Sequence, residues 1–316
     1  MHGYGKIILF GEHAVVYGYP ALAAGISRGI RCEIQNDHTD STTLVIPQWN
    51  IGVDQTQNSN LAEALRTIVK GLPPVSYGCQ LLAHPEIPSR AGLGSSAALA
   101  VATIRALLAW QKLDWPAERI NQLAFQAETC FHGTPSGIDN TLATFGGFCY
   151  LSDSTRFPCP LPAFTQLPLN KLTAQLLPGL TAPVPIVVAN TNKERETKAL
   201  VAKVRLLLQQ DGPHYSQIME QIGQFAVEGY QALQHGEYAR FGKLMDRNHE
   251  YLQTLGVSCP ELDRAANIAH QAGALGAKLT GAGGGGCLIA LGNGRQAQIV
   301  AALQQARFEA FVVEIG

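Results

Sequence analysis

Residues 88–101 read Pro-Ser-Arg-Ala-Gly-Leu-Gly-Ser-Ser-Ala-Ala-Leu-Ala-Val, and no other stretch constrains this chain as tightly. Gly92 and Gly94 permit backbone angles that a Cβ would forbid. Ser95 and Ser96 open an Ala/Leu-rich segment that predicts a helix over Ala97 to Trp110. A glycine turn feeding a helix start presents unpaired N–H groups and the positive end of the helix dipole to whatever lies in front. That is an anion site, and the usual anion is phosphate. A hydroxyl at the same place can bind the metal that accompanies phosphates. Loops of small residues also occur for packing alone, so the loop by itself leaves both readings open.

Length and composition narrow the field. A chain of 316 residues can bury a large core, and two domains are a fair expectation. A net charge of −1 gives no electrostatic pull toward nucleic acid or an anionic membrane. Hydrophobic content of 46% with 15% charged residues is ordinary for a soluble enzyme. No apolar run approaches the roughly 18 residues that a membrane crossing needs. No basic segment followed by an apolar core marks a secretory signal. Seven cysteines, none in C-x-x-C spacing, suggest reduced thiols and a cytoplasmic setting rather than a disulfide framework or a zinc site.

Along the chain, Ile7 to Leu9 and the alternating Ile30 to Ile34 read as strands. Tyr77, Cys79, Leu81 and Ala83 form a half-buried strand leading to the phosphate loop. Pro116 opens a helix ending near Gly133. Prolines from 158 to 185 punctuate a poorly periodic region, which places a domain boundary at about 165–185. The expected domains are 1–170 and 183–316. Leu200, Val201, Val204, Leu207 and Leu208 mark an amphipathic helix, with helical patterns following at about 214–235, 237–254 and 260–273. Strands at Ala277 to Leu279 and Cys287 to Leu291, a helix at Gln296 to Gln305 and a strand at Phe308 to Ile315 complete an α+β pattern.

Two further segments bear on the phosphate loop. The chain opens with Gly5-Lys6-Ile7-Ile8-Leu9-Phe10-Gly11-Glu12-His13-Ala14-Val15-Val16-Tyr17-Gly18. Near its end lies Lys278-Leu279-Thr280-Gly281-Ala282-Gly283-Gly284-Gly285-Gly286-Cys287. In order and spacing the three segments resemble the three motifs of the GHMP kinase superfamily. Finer features resemble its mevalonate kinases: the first motif, His132-Gly133-Thr134-Pro135-Ser136-Gly137-Ile138-Asp139-Asn140, and Asn248-His249 followed by Leu255-Gly256-Val257-Ser258. The resemblance implies a ribosomal-protein-S5-like N-terminal domain and a ferredoxin-like C-terminal domain. It also implies ATP and Mg²⁺ as cofactors, and phosphorylation of (R)-mevalonate to 5-phosphomevalonate on the route to isoprenoids. The expected partner is that small molecule, with neither nucleic acid nor membrane. Relatives are often dimers, so a homodimer is an analogy only.

Phosphoryl transfer needs phosphate positioning, charge neutralisation and a group that handles the proton of the attacking hydroxyl. The loop from Arg90 through Ala91, Gly92, Leu93, Gly94 and Ser95 to Ser96 meets the first need. No Walker A pattern and no protein-kinase catalytic loop occurs. Residues 281–286 satisfy a loose Gly-x-Gly-x-x-Gly string but precede a strand, the wrong context for a dinucleotide. The resemblance implies that Ser96 and Glu128 are Mg²⁺ ligands; on its own, Glu128 reads as a solvated glutamate near a helix end. It implies that Asp139 is the catalytic base and Lys6 the lysine beside it. On their own, Asp139 reads as an N-cap and Lys6 as a solvent-reaching side chain. His13, Thr197 and Gly283 match positions at the substrate, although a lone histidine is usually structural. Asn50 resembles an asparagine near the nucleotide, while His249 and Cys287 read as structural. Arg90 stands where many relatives have Gly or Ser; it can add a phosphate contact or point to solvent.

Four rival readings remain. One is a GHMP kinase for galactose, homoserine or phosphomevalonate, and another is a diphosphomevalonate decarboxylase, which fits Lys6 and the Pro-Ser-Gly-Ile-Asp turn less well. A third is a Rossmann dehydrogenase, with Asp114 about 20 residues past the loop; it leaves the first and third motifs unexplained. The fourth is a non-catalytic sensor on the same fold, against which the joint presence of Lys6, Ser96, Glu128 and Asp139 argues.

Overall fold

The computed structural model describes the chain apart from residues 133–134, 164, 170–171 and 194–195, and apart from the side chains of 37, 132, 168 and 169. Gly133 and Thr134 of the turn before Asp139 therefore lie outside the described residues. The chain forms two compact units. One consists of Met1–Lys6, Gly25–Ser89 and Leu93–Gly146; the other of Ile7–Ala24, Arg90–Gly92 and Gly147–Gly316.

The chain starts with strand β1 (His2–Phe10) and continues into the long strand β2 (Ala21–Thr39). In the first unit, the later part of β2 pairs antiparallel with β5 (Gly78–Pro85). β5 runs parallel to β3 (Thr43–Ile46), which pairs antiparallel with β4 (Ile51–Asp54). Helix α1 (Asn60–Gly71) starts where Ser59 accepts a hydrogen bond from the Ala62 amide, a side-chain cap on an otherwise orphaned donor. Leu65 and Ile68 of α1, Leu99 and Ala100 of α2 (Ser95–Trp110) and Leu44 of β3 line one small apolar cavity. Helix α2 is apolar on nearly every side, which suits a helix buried among others. α3 (Ala117–His132) and α4 (Ile138–Phe145) pack beside it.

In the second unit, Ala21–Ala24 of β2 pairs with β6 (Phe148–Ser152), followed by β8 (Leu172–Leu177) and β7 (Thr165–Leu169). The stretch 165–185, expected as irregular, thus holds two strands; its proline spacing had hidden them. A separate antiparallel sheet has the order β10 (Gly276–Thr280), β11 (Cys287–Leu291), β9 (Val184–Asn190), β12 (Glu309–Ile315). Helices α5 (Thr197–Gln210), α6 (Gly212–Gln234), α7 (Tyr238–Thr254), α8 (Pro260–Gln271) and α9 (Gln296–Gln305) complete the unit. Alternate residues of this sheet, Val187, Ala189, Leu279, Leu288, Ala290 and Ala310, bury one face. They meet Leu262, Ala265 and Ala269 of α8 and Ile299 and Leu303 of α9. With α5 to α8 between β9 and β10, and α9 between β11 and β12, the sheet order is that of the expected ferredoxin-like pattern, with additional helices in the first connection. None of the seven cysteines, all among the described residues, is in a disulfide.

Candidate active site

Gly94 caps α2 in the left-handed region, at φ 74°, where a Cβ would also lie 3.0 Å from Lys6 Cγ. The left-handed turn favours glycine, and an added Cβ would also crowd the lysine. The Lys6 amide donates to the Leu93 carbonyl at 2.9 Å, which ties β1 to the loop. Ser95 and Ser96 occupy the first two helical positions, so their amides belong to the set without intrahelical partners. Arg90 sits at φ 57° with its side chain exposed, and Ala91 is buried.

Four side chains gather at this helix start. Lys6 Nζ lies 3.0 Å from Asp139 Oδ1, with Lys6 largely buried and Asp139 about one-third exposed. Ser96 Oγ donates to Glu128 Oε2 at 3.1 Å. Glu128 is 1% exposed, so it is not the solvated glutamate that its place near a helix end suggested. Burial pushes its carboxyl up to about 7; Asp139 nearby adds to the rise, while Ser96 and Lys6 oppose it. Asp139 is not an N-cap either. Gly137 holds that position at φ 85°, and Asp139 lies inside the first turn of α4 with its carboxylate on Lys6.

A buried carboxylate held near neutrality is costly to ionise, and a divalent cation beside it would offset that cost. The hydroxyl and carboxylate oxygens are hard donors, as Mg²⁺ requires. Among the described residues no cluster of three or more His, Cys, Asp or Glu is arranged to hold a metal. Ser96 and Glu128 would supply two such oxygens, and Mg²⁺ is commonly held by one or two protein groups with waters and phosphate oxygens.

The second unit holds another polar centre. His13, at φ 62°, directs Nε2 to the Ala282 carbonyl at 2.9 Å. Burial lowers its pKa below the ordinary histidine value, which favours the neutral ring. Nε2 must then carry the proton, leaving Nδ1 as an acceptor. Gly283 follows at φ 79°, where a Cβ would lie 2.0 Å from the Val257 carbonyl. The Gly284 amide donates to that same carbonyl at 2.8 Å. Leu255-Gly256-Val257-Ser258 thus supports the glycine loop of the third motif. Thr197 is the first residue of α5 and is exposed. Asn50 is exposed at φ 52°, closing a 3-10 turn over Pro47–Trp49.

Sequence reasoning assigned no role to Glu12 and Lys278, which form a fully buried ion pair. Asn248 Nδ2 donates to Glu12 at 3.4 Å, and Lys278 Nζ also donates to the Leu279 carbonyl at 2.7 Å. The signal was present: a lysine between Ala277 and Leu279 in a strand buried throughout needs an anion. His249 accepts from the Leu279 amide at 3.3 Å and meets Asp263 at 3.1 Å.

The family model described as GHMP kinases N terminal domain matches residues 59–147, and the GHMP kinases C terminal model matches residues 230–310. A mevalonate kinase of Pyrococcus abyssi is 34% identical, covering 95% of this chain and 90% of its own length. The chain belongs to the GHMP kinases, in the mevalonate kinase family. Fold comparison agrees. The crystal structure of L. major mevalonate kinase in complex with R-mevalonate matches with TM-score 0.85 and 30% identity, over 99% of this chain and 94% of that one. The Methanococcus jannaschii mevalonate kinase matches with TM-score 0.83 and 26% identity, over 100% and 98%. Family membership sets aside the dehydrogenase reading. No helix among the described residues is long and apolar enough to cross a membrane.

Proposed function

We propose that this chain transfers the γ-phosphoryl group of ATP to the primary hydroxyl of (R)-mevalonate, giving 5-phosphomevalonate. The observation that carries the reading is the Lys6–Asp139 pair at the start of α2, in a chain similar to mevalonate kinases over nearly its whole length. Asp139 accepts the proton of the attacking hydroxyl. Lys6 stabilises negative charge on the transferring group. The amides from Arg90 through Ala91, Gly92, Leu93, Gly94 and Ser95 to Ser96 receive the phosphates, and Asn50 is assigned to the nucleotide on the resemblance alone. Ser96 and Glu128 would hold Mg²⁺, which when bound neutralises phosphate charge. His13, Thr197 and Gly283 form the acceptor side. With Nε2 committed to Ala282, His13 offers Nδ1 to a substrate hydroxyl rather than a donor to its carboxylate.

Product analysis tests the reading. With ATP, Mg²⁺ and mevalonate, the expected product is one phosphomonoester whose ³¹P signal is split by the two C5 protons. An unsplit signal, from phosphate on the tertiary hydroxyl, or no ATP consumption would contradict it.

A further inference from the structure

Helix α4 carries Asp139 in its first turn and is fastened at both ends by side chains of which only Asn140 belongs to a motif. At its start, Asn140 Nδ2 donates to Asn121 Oδ1 at 2.6 Å and to the Asn121 carbonyl at 3.3 Å. Asn121 Nδ2 donates to Thr141 Oγ1 at 3.4 Å. All three residues are buried. Asn121 stands two turns before Glu128 on α3, so both project from the same side of that helix.

At the other end, Arg105 of α2 spans two elements. One guanidinium nitrogen donates to the Thr144 carbonyl at 2.7 Å, and the other to the His2 carbonyl at 2.6 Å. Thr144 lies in the last turn of α4, where carbonyls lack intrahelical partners and the dipole favours a cation. His2 opens β1, the strand that carries Lys6. One side chain therefore ties the strand of the lysine to the helix of the aspartate.

Apolar contacts alone would hold these elements together without burying groups that must be satisfied. Hydrogen bonds add direction, fixing where the first turn of α4 sits. We propose that Asn121 and Arg105 are positioning residues for phosphoryl transfer, setting the place of Asp139 relative to Lys6 and Glu128. This rests on Asp139 as the base. A shift of about 1 Å at a reacting group can cost on the order of 10²-fold in rate.

The test compares full-length Asn121→Leu/Asn140→Leu, Arg105→Met and Arg105→Lys with wild type, with Asp139→Asn alongside. The paired leucines remove donor and acceptor together and fill the space. The expected result is a kcat lower by about 10- to 100-fold in the leucine pair and in Arg105→Met, with KM for ATP and mevalonate within about threefold. Arg105→Lys should recover part of the loss, since an ammonium still reaches one carbonyl. A crystal structure of the leucine pair should show the Lys6–Asp139 separation lengthened from 3.0 Å. If Arg105→Met does not fold, the leucine pair and Arg105→Lys decide. A folded leucine pair with kcat within about twofold of wild type overturns the proposal, as does a loss expressed wholly in KM. Turnover retained by Asp139→Asn strikes the base reading instead; turnover lost there but kept in the fastening variants strikes only this proposal.

Discussion

Lys6 Nζ stands 3.0 Å from Asp139 Oδ1, joining the first strand of the chain to the first turn of α4. The lysine passes close beside Gly94, where an added Cβ would lie 3.0 Å from Lys6 Cγ. Asp139→Asn should fold and bind ATP yet lose roughly 10²- to 10⁴-fold in kcat, the usual contribution of a positioned base. Turnover within a few-fold of wild type would remove Asp139 from that role. Calorimetric titration with ATP separates lost binding from lost chemistry.

Glu128 makes a prediction about metal and pH together. Its carboxyl is raised from the ordinary 4.5 to about 7 by burial and by Asp139. The folded protein therefore binds more protons than the unfolded chain between those values, so stability falls as pH rises through this window. The displacement corresponds to roughly 3 kcal/mol at pH 8. In metal-free protein, Glu128→Gln should raise Tm at pH 8 and leave it nearly unchanged below pH 4.5. The same variant should need more Mg²⁺ for half-maximal activity, since a hard ligand loses its charge. A Mg²⁺ titration identical to wild type would exclude Glu128 from the metal shell.

The legibility of this site in the sequence was uneven, for physical reasons. The glycine turn before α2 was readable because backbone freedom and helix capping are local properties. Burial was not. Glu128 looks solvated until α3 is packed, and Asp139 looks like a cap until Gly137 takes that position. Strand β9 was hidden by Pro183 and Pro185. Pro185 is accommodated because it faces Glu314 of β12, while pairing with β11 begins only at Ile186. Ser59 before α1 was a cap signal that went unread. Asn121 and Arg105 carry no local signature at all; their partners are distant in sequence.

The Glu12–Lys278 pair should behave as a buried ion pair does. Lys278→Met alone leaves a buried carboxylate without its cation and should destabilise by about 3–5 kcal/mol. Glu12→Met/Lys278→Met should cost much less, because no charge is left behind. Denaturant unfolding of the single and double variants measures the difference. A double variant as unstable as the single would show that the pair is not what the charges need.

On the acceptor side, His13→Ala and Thr197→Ala should each raise KM for mevalonate more than KM for ATP. Steady-state kinetics with each substrate varied in turn checks this. Equal effects on both would detach these residues from the acceptor.

The most direct measurement is kcat/KM for mevalonate, phosphomevalonate, galactose and homoserine in one ADP-release assay. Phosphomevalonate would carry a further dianion toward Asp139. The expected preference for mevalonate over phosphomevalonate is at least about tenfold, or roughly 1.4 kcal/mol. Galactose and homoserine should be poorer acceptors than mevalonate. Equal efficiency with phosphomevalonate, or galactose as the better acceptor, would contradict the assignment while leaving the kinase fold intact.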